Sequence, residues 1–159
     1  MKKLLTLSLL VFLSFHAFSQ QTLFRYRNVK NFKHYYTVNF NEYGNGANGW
    51  VLEGPACLVF NAEDRARGIV PLFRYFNPKN GDHYYTTHLG ELGDGEVGYH
   101  LEGPSCYIYK FEVPGAVPLF RYFNVKTGDH FYTIDRRELG RGFDGYIFEK
   151  IVGFVLPPR

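Results

Sequence analysis

The sequence predicts an all-β domain of β-trefoil-like build: three copies of one unit of about four short strands, related by a pseudo-threefold axis. Three observations predict it. The 159 residues include 16 Phe, 13 Tyr and 1 Trp but only 1 Met, a composition rich in strand formers and poor in residues that favour long helices. The phrase Leu23-Phe24-Arg25-Tyr26 returns as Leu72-Phe73-Arg74-Tyr75 and as Leu119-Phe120-Arg121-Tyr122, at spacings of 49 and 47 residues. No sustained 3.6-residue apolar period runs along the chain, so helices should be minimal. A 45% hydrophobic, 21% charged composition also excludes disorder.

The elements follow in order. Lys2 and Lys3 precede an apolar run from Leu4 to Phe18, which has the length of a secretory signal and is too short for a membrane span. Ala17 and Ser19 are small residues one position apart, so residues 1–19 read as a signal peptide cleaved after Ser19. The mature chain is expected to be secreted or periplasmic, with no membrane attachment after cleavage. Residues 20–159 then form a single domain, with repeats at about 22–70, 71–117 and 118–159.

Two further anchors keep the same register. His34-Tyr35-Tyr36-Thr37 recurs as His83-Tyr84-Tyr85-Thr86 and His130-Phe131-Tyr132-Thr133. Leu52-Glu53-Gly54-Pro55 matches Leu101-Glu102-Gly103-Pro104, and weakly Phe148-Glu149-Lys150. In the middle unit the strands are expected at 72–77, 82–87, 99–102 and 106–111. The first pair is joined by the turn Pro78-Lys79-Asn80-Gly81. Gly103-Pro104 should break the pairing of the last two, because proline lacks the ladder donor. Propellers also use four strands per unit but need more blades, so a propeller assembled from several chains is the competing architecture. Cys57 and Cys106 occupy one position in units one and two, and Gly153 takes it in unit three. An exported chain permits a disulfide, which needs Cα atoms within about 7 Å; a bridge and two buried thiols both stay open.

With 18 Lys plus Arg against 15 acids and no basic run, no nucleic-acid partner is expected. His-Glu-x-x-His, Gly-x-Ser-x-Gly and phosphate-loop patterns are absent, so the chain does not read as an enzyme. Neither a cofactor nor a metal is expected, since nothing in the spacing makes His34, His83 and His130 converge. Arg25, Arg74 and Arg121, with Glu53, Glu102 and Glu149, should pair as scaffold where strands meet.

The segments Gly81-Asp82-His83-Tyr84-Tyr85-Thr86 and Gly128-Asp129-His130-Phe131-Tyr132-Thr133 place a short carboxylate beside a turn, next to imidazole and phenol. That set suits sugar hydroxyls; an Asp capping its own turn is the plain alternative. The candidate carbohydrate contacts are Asp82, His83, Tyr85, Asp129, His130 and Tyr132, with Asn77 and Asn124 in support. In the first unit Phe32-Lys33 replaces Gly-Asp. Trp50, the lone tryptophan, suits either an exposed platform or a core gap.

The long phrase at Pro71 to Thr86 and Pro118 to Thr133 resembles an aromatic-rich repeat family of unknown function found in secreted proteins and often appended to hydrolases. The resemblance covers nearly the whole mature chain. It implies a secreted, non-catalytic accessory module. The expected function is therefore a lectin-like, carbohydrate-binding module acting on a glycan or cell-surface polysaccharide. The alternative is a protein-binding or inhibitory module using the variable loops 39–50 and 90–98.

Overall fold

The structure, a computed structural model, describes residues 19–159; the expected signal peptide lies outside them except for Ser19. Nine strands follow one another: β1 (Gln20–Asn28), β2 (His34–Thr37), β3 (Trp50–Phe60), β4 (Ile69–Asn77), β5 (Asp82–Thr86), β6 (His100–Tyr109), β7 (Val117–Asn124), β8 (Asp129–Thr133) and β9 (Tyr146–Val155). The only helical pieces among the described residues are 3-10 turns of three residues. The all-β class follows from the chain's β-branched and aromatic content, as expected. All pairing is antiparallel.

Each unit is a three-stranded sheet with its first strand in the middle: β2-β1-β3, β5-β4-β6 and β8-β7-β9. The expectation of about four strands per unit is corrected to three. The Gly-Pro step does not end a strand. It lies inside β3 and β6 and is absorbed by two register shifts against the partner strand, which skip Glu53 and Ala56 in unit one and Glu102 and Ser105 in unit two. Bulges are where a sheet tolerates proline. In unit three the same shifts skip Glu149 and Val152. The skipped glutamate is freed from the alternation of the strand, and this aims it at the arginine on the partner strand.

Two contacts join the units around a common centre. The short strands β2, β5 and β8 lie against one another, each an open edge of its own sheet. Their exposed backbone groups are closed by three phenols. Tyr36 donates to the Tyr132 carbonyl and accepts from the Tyr132 N–H at 2.8 and 2.7 Å. Tyr132 does the same to Tyr85 at 3.0 and 2.7 Å, and Tyr85 to Tyr36 at 2.8 and 2.9 Å. A closed ring results, in which side chains replace the missing ladder. Burial pushes all three phenols well above their ordinary pKa. At the other end single bridges link Phe60 to Tyr107, Tyr109 to Phe154 and Leu58 to Leu156.

The shared core repeats by position as well: Leu23, Leu72 and Leu119; Val59, Ile108 and Val155; and the buried, unbridged thiols of Cys57 and Cys106. Burial raises the Cys106 thiol to about 12, so neither packing nor ionisation favours reaction there. A Cβ at Gly153 would stand 2.7 Å from both Ile108 Cδ1 and the Tyr109 carbonyl. The third unit therefore has no room for a matching cysteine.

Candidate functional site: the clefts between units

The residues that repeat in all units meet at the junctions between them. At the junction of units two and three, Asp82 accepts from the His130 N–H at 2.9 Å, bonds the His130 Nδ1 at 2.6 Å and accepts from the Tyr99 hydroxyl at 2.5 Å. At the junction of units three and one, Asp129 takes the His34 N–H at 2.8 Å, His34 Nδ1 at 2.6 Å and the Tyr146 hydroxyl at 2.6 Å. Both carboxylates are 0% exposed. With charge-assisted donors on both oxygens, each is a buried latch between neighbouring units.

An arginine reinforces every junction. Arg121 lies 4.4 Å from the Tyr84 ring centre and binds Glu149 at 2.6 Å and Glu91 at 2.9 Å. Arg25 lies over Phe131 at 4.7 Å and binds Glu53 at 2.8 Å and Glu138 at 2.9 Å. Arg74 covers Tyr35 at 5.1 Å, binds Glu102 at 2.6 Å and donates to the Tyr35 hydroxyl at 2.6 Å. The Tyr35 hydroxyl in turn donates to Glu42 at 2.7 Å. Burial would raise the Glu91 pKa, but hydrogen bonds from Lys150, Tyr84 and Arg121 outweigh it and hold that carboxyl near 2.

The junction of units one and two is different. Lys33 stands where the other units have Asp, and Trp50 stands where they have Tyr. The Lys33 ammonium turns away to the Thr127 carbonyl at 2.6 Å. Burial lowers its pKa and the neighbouring Asp82 and Asp129 charges oppose that fall. His83, 8% exposed, is left with an Nδ1 that has no hydrogen-bond partner. Burial, then the Arg74 charge, depress its pKa to about 4 despite Asp82, so the ring is neutral at physiological pH.

An aromatic wall replaces the latch. Trp50 lies 5.6 Å from both Tyr35 and Tyr43 and 6.4 Å from His83 between ring centres, while Phe76 stacks on His83 at 4.8 Å. The open cleft of about 400 Å³ is lined by Tyr43, Trp50, Arg74, Phe76, His83 and Glu102, among others. Its counterpart between units two and three has Leu92 and Tyr99 in place of Tyr43 and Trp50, and both are packed into a core cluster.

A family model described as a domain of unknown function, DUF5648, matches residues 14–156. The chain belongs to that family. No curated protein and no solved structure matches it.

The structure redistributes the eight expected contact residues. Asp82 and Asp129 neither face solvent nor cap their own turns; they hold the neighbouring unit's histidine. Tyr85 and Tyr132 are 1% and 2% exposed on the central ring, with no face for stacking. Asn77 and Asn124 close their own turns, accepting from Lys79, and from Lys126 and Thr127. His130 is latched by Asp82. Only His83 combines a cleft position with an unused polar atom. The cleft also takes Tyr43 and Phe76, which the sequence did not single out, Arg74, which it read as scaffold, and Trp50, which it left as either an exposed platform or a core plug. One signal was available: unit one departs from the repeat at position 33 and at position 50 together.

Proposed function

We propose a secreted, non-catalytic carbohydrate-binding module that holds a glycan or cell-surface polysaccharide in the cleft between units one and two. The observation behind this reading is the aromatic wall of Trp50, Tyr43 and Phe76 beside the polar groups of Arg74, Glu102 and His83. A pyranose presents an apolar C–H face and a rim of hydroxyls. Ring surface matches the first, and few fixed donors and acceptors match the second. The recurring Tyr36–Tyr85–Tyr132 ring and the three corresponding junctions support a trefoil-like arrangement. The site expected in the Gly-Asp-His segments moves, in this reading, from the two complete copies to the departing one.

Trp50 is the chain's single tryptophan, so tryptophan emission, excited selectively over the tyrosines, reports on this cleft. Titration with a panel of soluble oligosaccharides should shift or quench that emission, and Trp50→Phe and Tyr43→Ala should weaken binding on a glycan array with the fold intact. Silence of both wild-type emission and array across all polysaccharides sinks the reading. The loop reading, a protein-binding surface, draws on Val97, which is 83% exposed in loop 90–98. It would gain if array silence were joined by capture of one defined protein lost on Val97→Asp.

A further inference from the structure

The molecule contains two worked examples of how a carboxylate binds its repeated histidine. In both, one oxygen takes the main-chain N–H and the other takes Nδ1, at 2.8 and 2.6 Å for His34 and 2.9 and 2.6 Å for His130. His83 occupies the same place in β5, and the residue that would supply its carboxylate is Lys33. Its Nδ1 is the one buried side-chain polar atom without a partner among the described residues. The unit-one phenol that would donate to that carboxylate is also gone, with an indole in its place. Both donors of the seat remain, while the acid and the phenol that would fill it from inside are replaced.

We propose that this seat takes a carboxylate brought by the ligand, so that the cleft selects acidic sugars, uronic acid units, over neutral ones. The inference rests on the carbohydrate reading above. The His83 N–H and Nδ1 receive the two carboxylate oxygens as their counterparts receive Asp129 and Asp82. The Arg74 guanidinium, which lines the cleft and acts on His83, supplies the positive charge there. Asp82 and Glu102 set a limit on that field, so recognition depends on the donor geometry more than on net charge. The pyranose ring that carries the carboxylate then lies against Trp50 and Tyr43. A peptide carboxylate would offer no flat apolar face to those rings, which favours a uronate over an acidic protein.

The test pairs two probes of the same shape. Trigalacturonate and its methyl-esterified form are titrated into the intact mature protein, with Trp50 emission and the His83 ring ¹⁵N resonances as readouts. The acid is expected to bind at least about tenfold more tightly than the ester, the order lost when a charge-assisted pair of hydrogen bonds is removed. It should move the His83 ring and leave those of His34 and His130 unchanged. Lys33→Asp, which supplies the carboxylate from within, should reduce trigalacturonate affinity to that of the ester. His83→Phe, which keeps an aromatic ring but removes both ring nitrogens, should do the same if the first variant folds poorly.

Equal affinity for acid and ester overturns the uronate inference and leaves the carbohydrate reading standing. Movement of His83 by acetate or a glutamyl peptide, with no response to any oligosaccharide, overturns the sugar reading and the uronate assignment with it. A His83 ring that no carboxylate perturbs removes the seat itself.

Discussion

The junction between units two and three and the junction between units one and two are built from equivalent strands in the same register, yet one is a latch and the other a cleft. In the first, Asp82 joins His130 and Tyr99 with no solvent access. In the second, Lys33, His83 and Trp50 occupy corresponding positions and leave a polar atom unused. The two departures explain each other. A phenol at position 50 would have no carboxylate to donate to once position 33 is lysine. A third carboxylate beside Asp82 and Asp129 would meet like charges close by, whereas Lys33 is placed where both attract it. The scaffold has released one of three internal linkages, and the cost falls on a single buried imidazole.

The largest test of this contrast removes the acid from a closed junction and the lysine from the open one. Asp82→Ala leaves the His130 N–H, its imidazole and the Tyr99 hydroxyl without their common acceptor. The expected loss is about 3–5 kcal/mol, the range for breaking one partner of a buried charged network. Lys33→Ala, which removes one hydrogen bond from a charged donor to a carbonyl, should cost less, about 1.5–3 kcal/mol. Urea unfolding of the two variants gives both values, and equal losses would erase the distinction between latch and cleft.

A second test uses pH. His83 is held near 4 in the folded chain against an ordinary 6.5. The unfolded chain therefore binds more protons between these values, and stability falls as pH falls through that window. The contribution is complete above about 6.5 and is lost by about 4, amounting to roughly 3 kcal/mol. The groups facing His83 are Tyr35 from unit one, 4.7 Å away between ring centres, Arg74 from β4, Asp82 from its own strand and Glu102 from β6; Arg74 works against protonation and Asp82 favours it. His83→Phe should flatten the profile between pH 6.5 and 4. The separate loss expected from Glu91, whose pKa lies near 2, should remain below pH 4.5. An unchanged profile in the variant would place the titration elsewhere.

Closing the open junction should have a smaller effect. Lys33→Asp with Trp50→Tyr rebuilds the acid, imidazole and phenol set of the other two junctions. A gain of about 1–2 kcal/mol is expected from the restored charged hydrogen bonds, offset in part by the nearby Asp82 and Asp129. The His83 pKa should rise, since a carboxylate at Nδ1 favours the protonated ring. NMR titration of that ring, alongside thermal unfolding, separates a rebuilt latch from a merely tolerated pair of substitutions.

Much of the architecture was legible because repetition makes position meaningful. The Leu-Phe-Arg-Tyr and His-aromatic-Tyr-Thr anchors located two strands in each unit, and the Arg25, Arg74 and Arg121 pairs with glutamate arose as their alternation suggested. The local pattern divides the third strand in two because proline normally ends a ladder. That Glu53 and Glu102 bulge out beside it depends on pairing with a strand some thirty residues away, which local pattern does not contain. Asp82 and Asp129 were misplaced for a related reason: a buried carboxylate serving a neighbouring unit has the same local sequence as an exposed one. What repetition did mark, at Lys33 and Trp50, was where the scaffold rule is relaxed.

The smallest effect concerns the turn that precedes Lys33. Gly81 and Gly128 take φ values of 75° and 69°, and at the corresponding place Phe32 takes 58°. A left-handed conformation costs a side-chain-bearing residue roughly 1–2 kcal/mol, and glycine there avoids it. Phe32→Gly removes that strain but makes the unfolded chain more flexible. It also removes a ring that is 54% exposed and lies 5.6 Å from the Arg27 guanidinium, an exposed contact of about 0.5–1 kcal/mol. The terms nearly cancel, so a gain of less than about 1 kcal/mol is expected by chemical denaturation. The cleft's response to trigalacturonate should not change, because Phe32 is not among the residues that line the cleft. A stability loss beyond 1 kcal/mol would mean that Phe32 packs as part of the open junction, and that unit one departs from its siblings at three coupled positions instead of two.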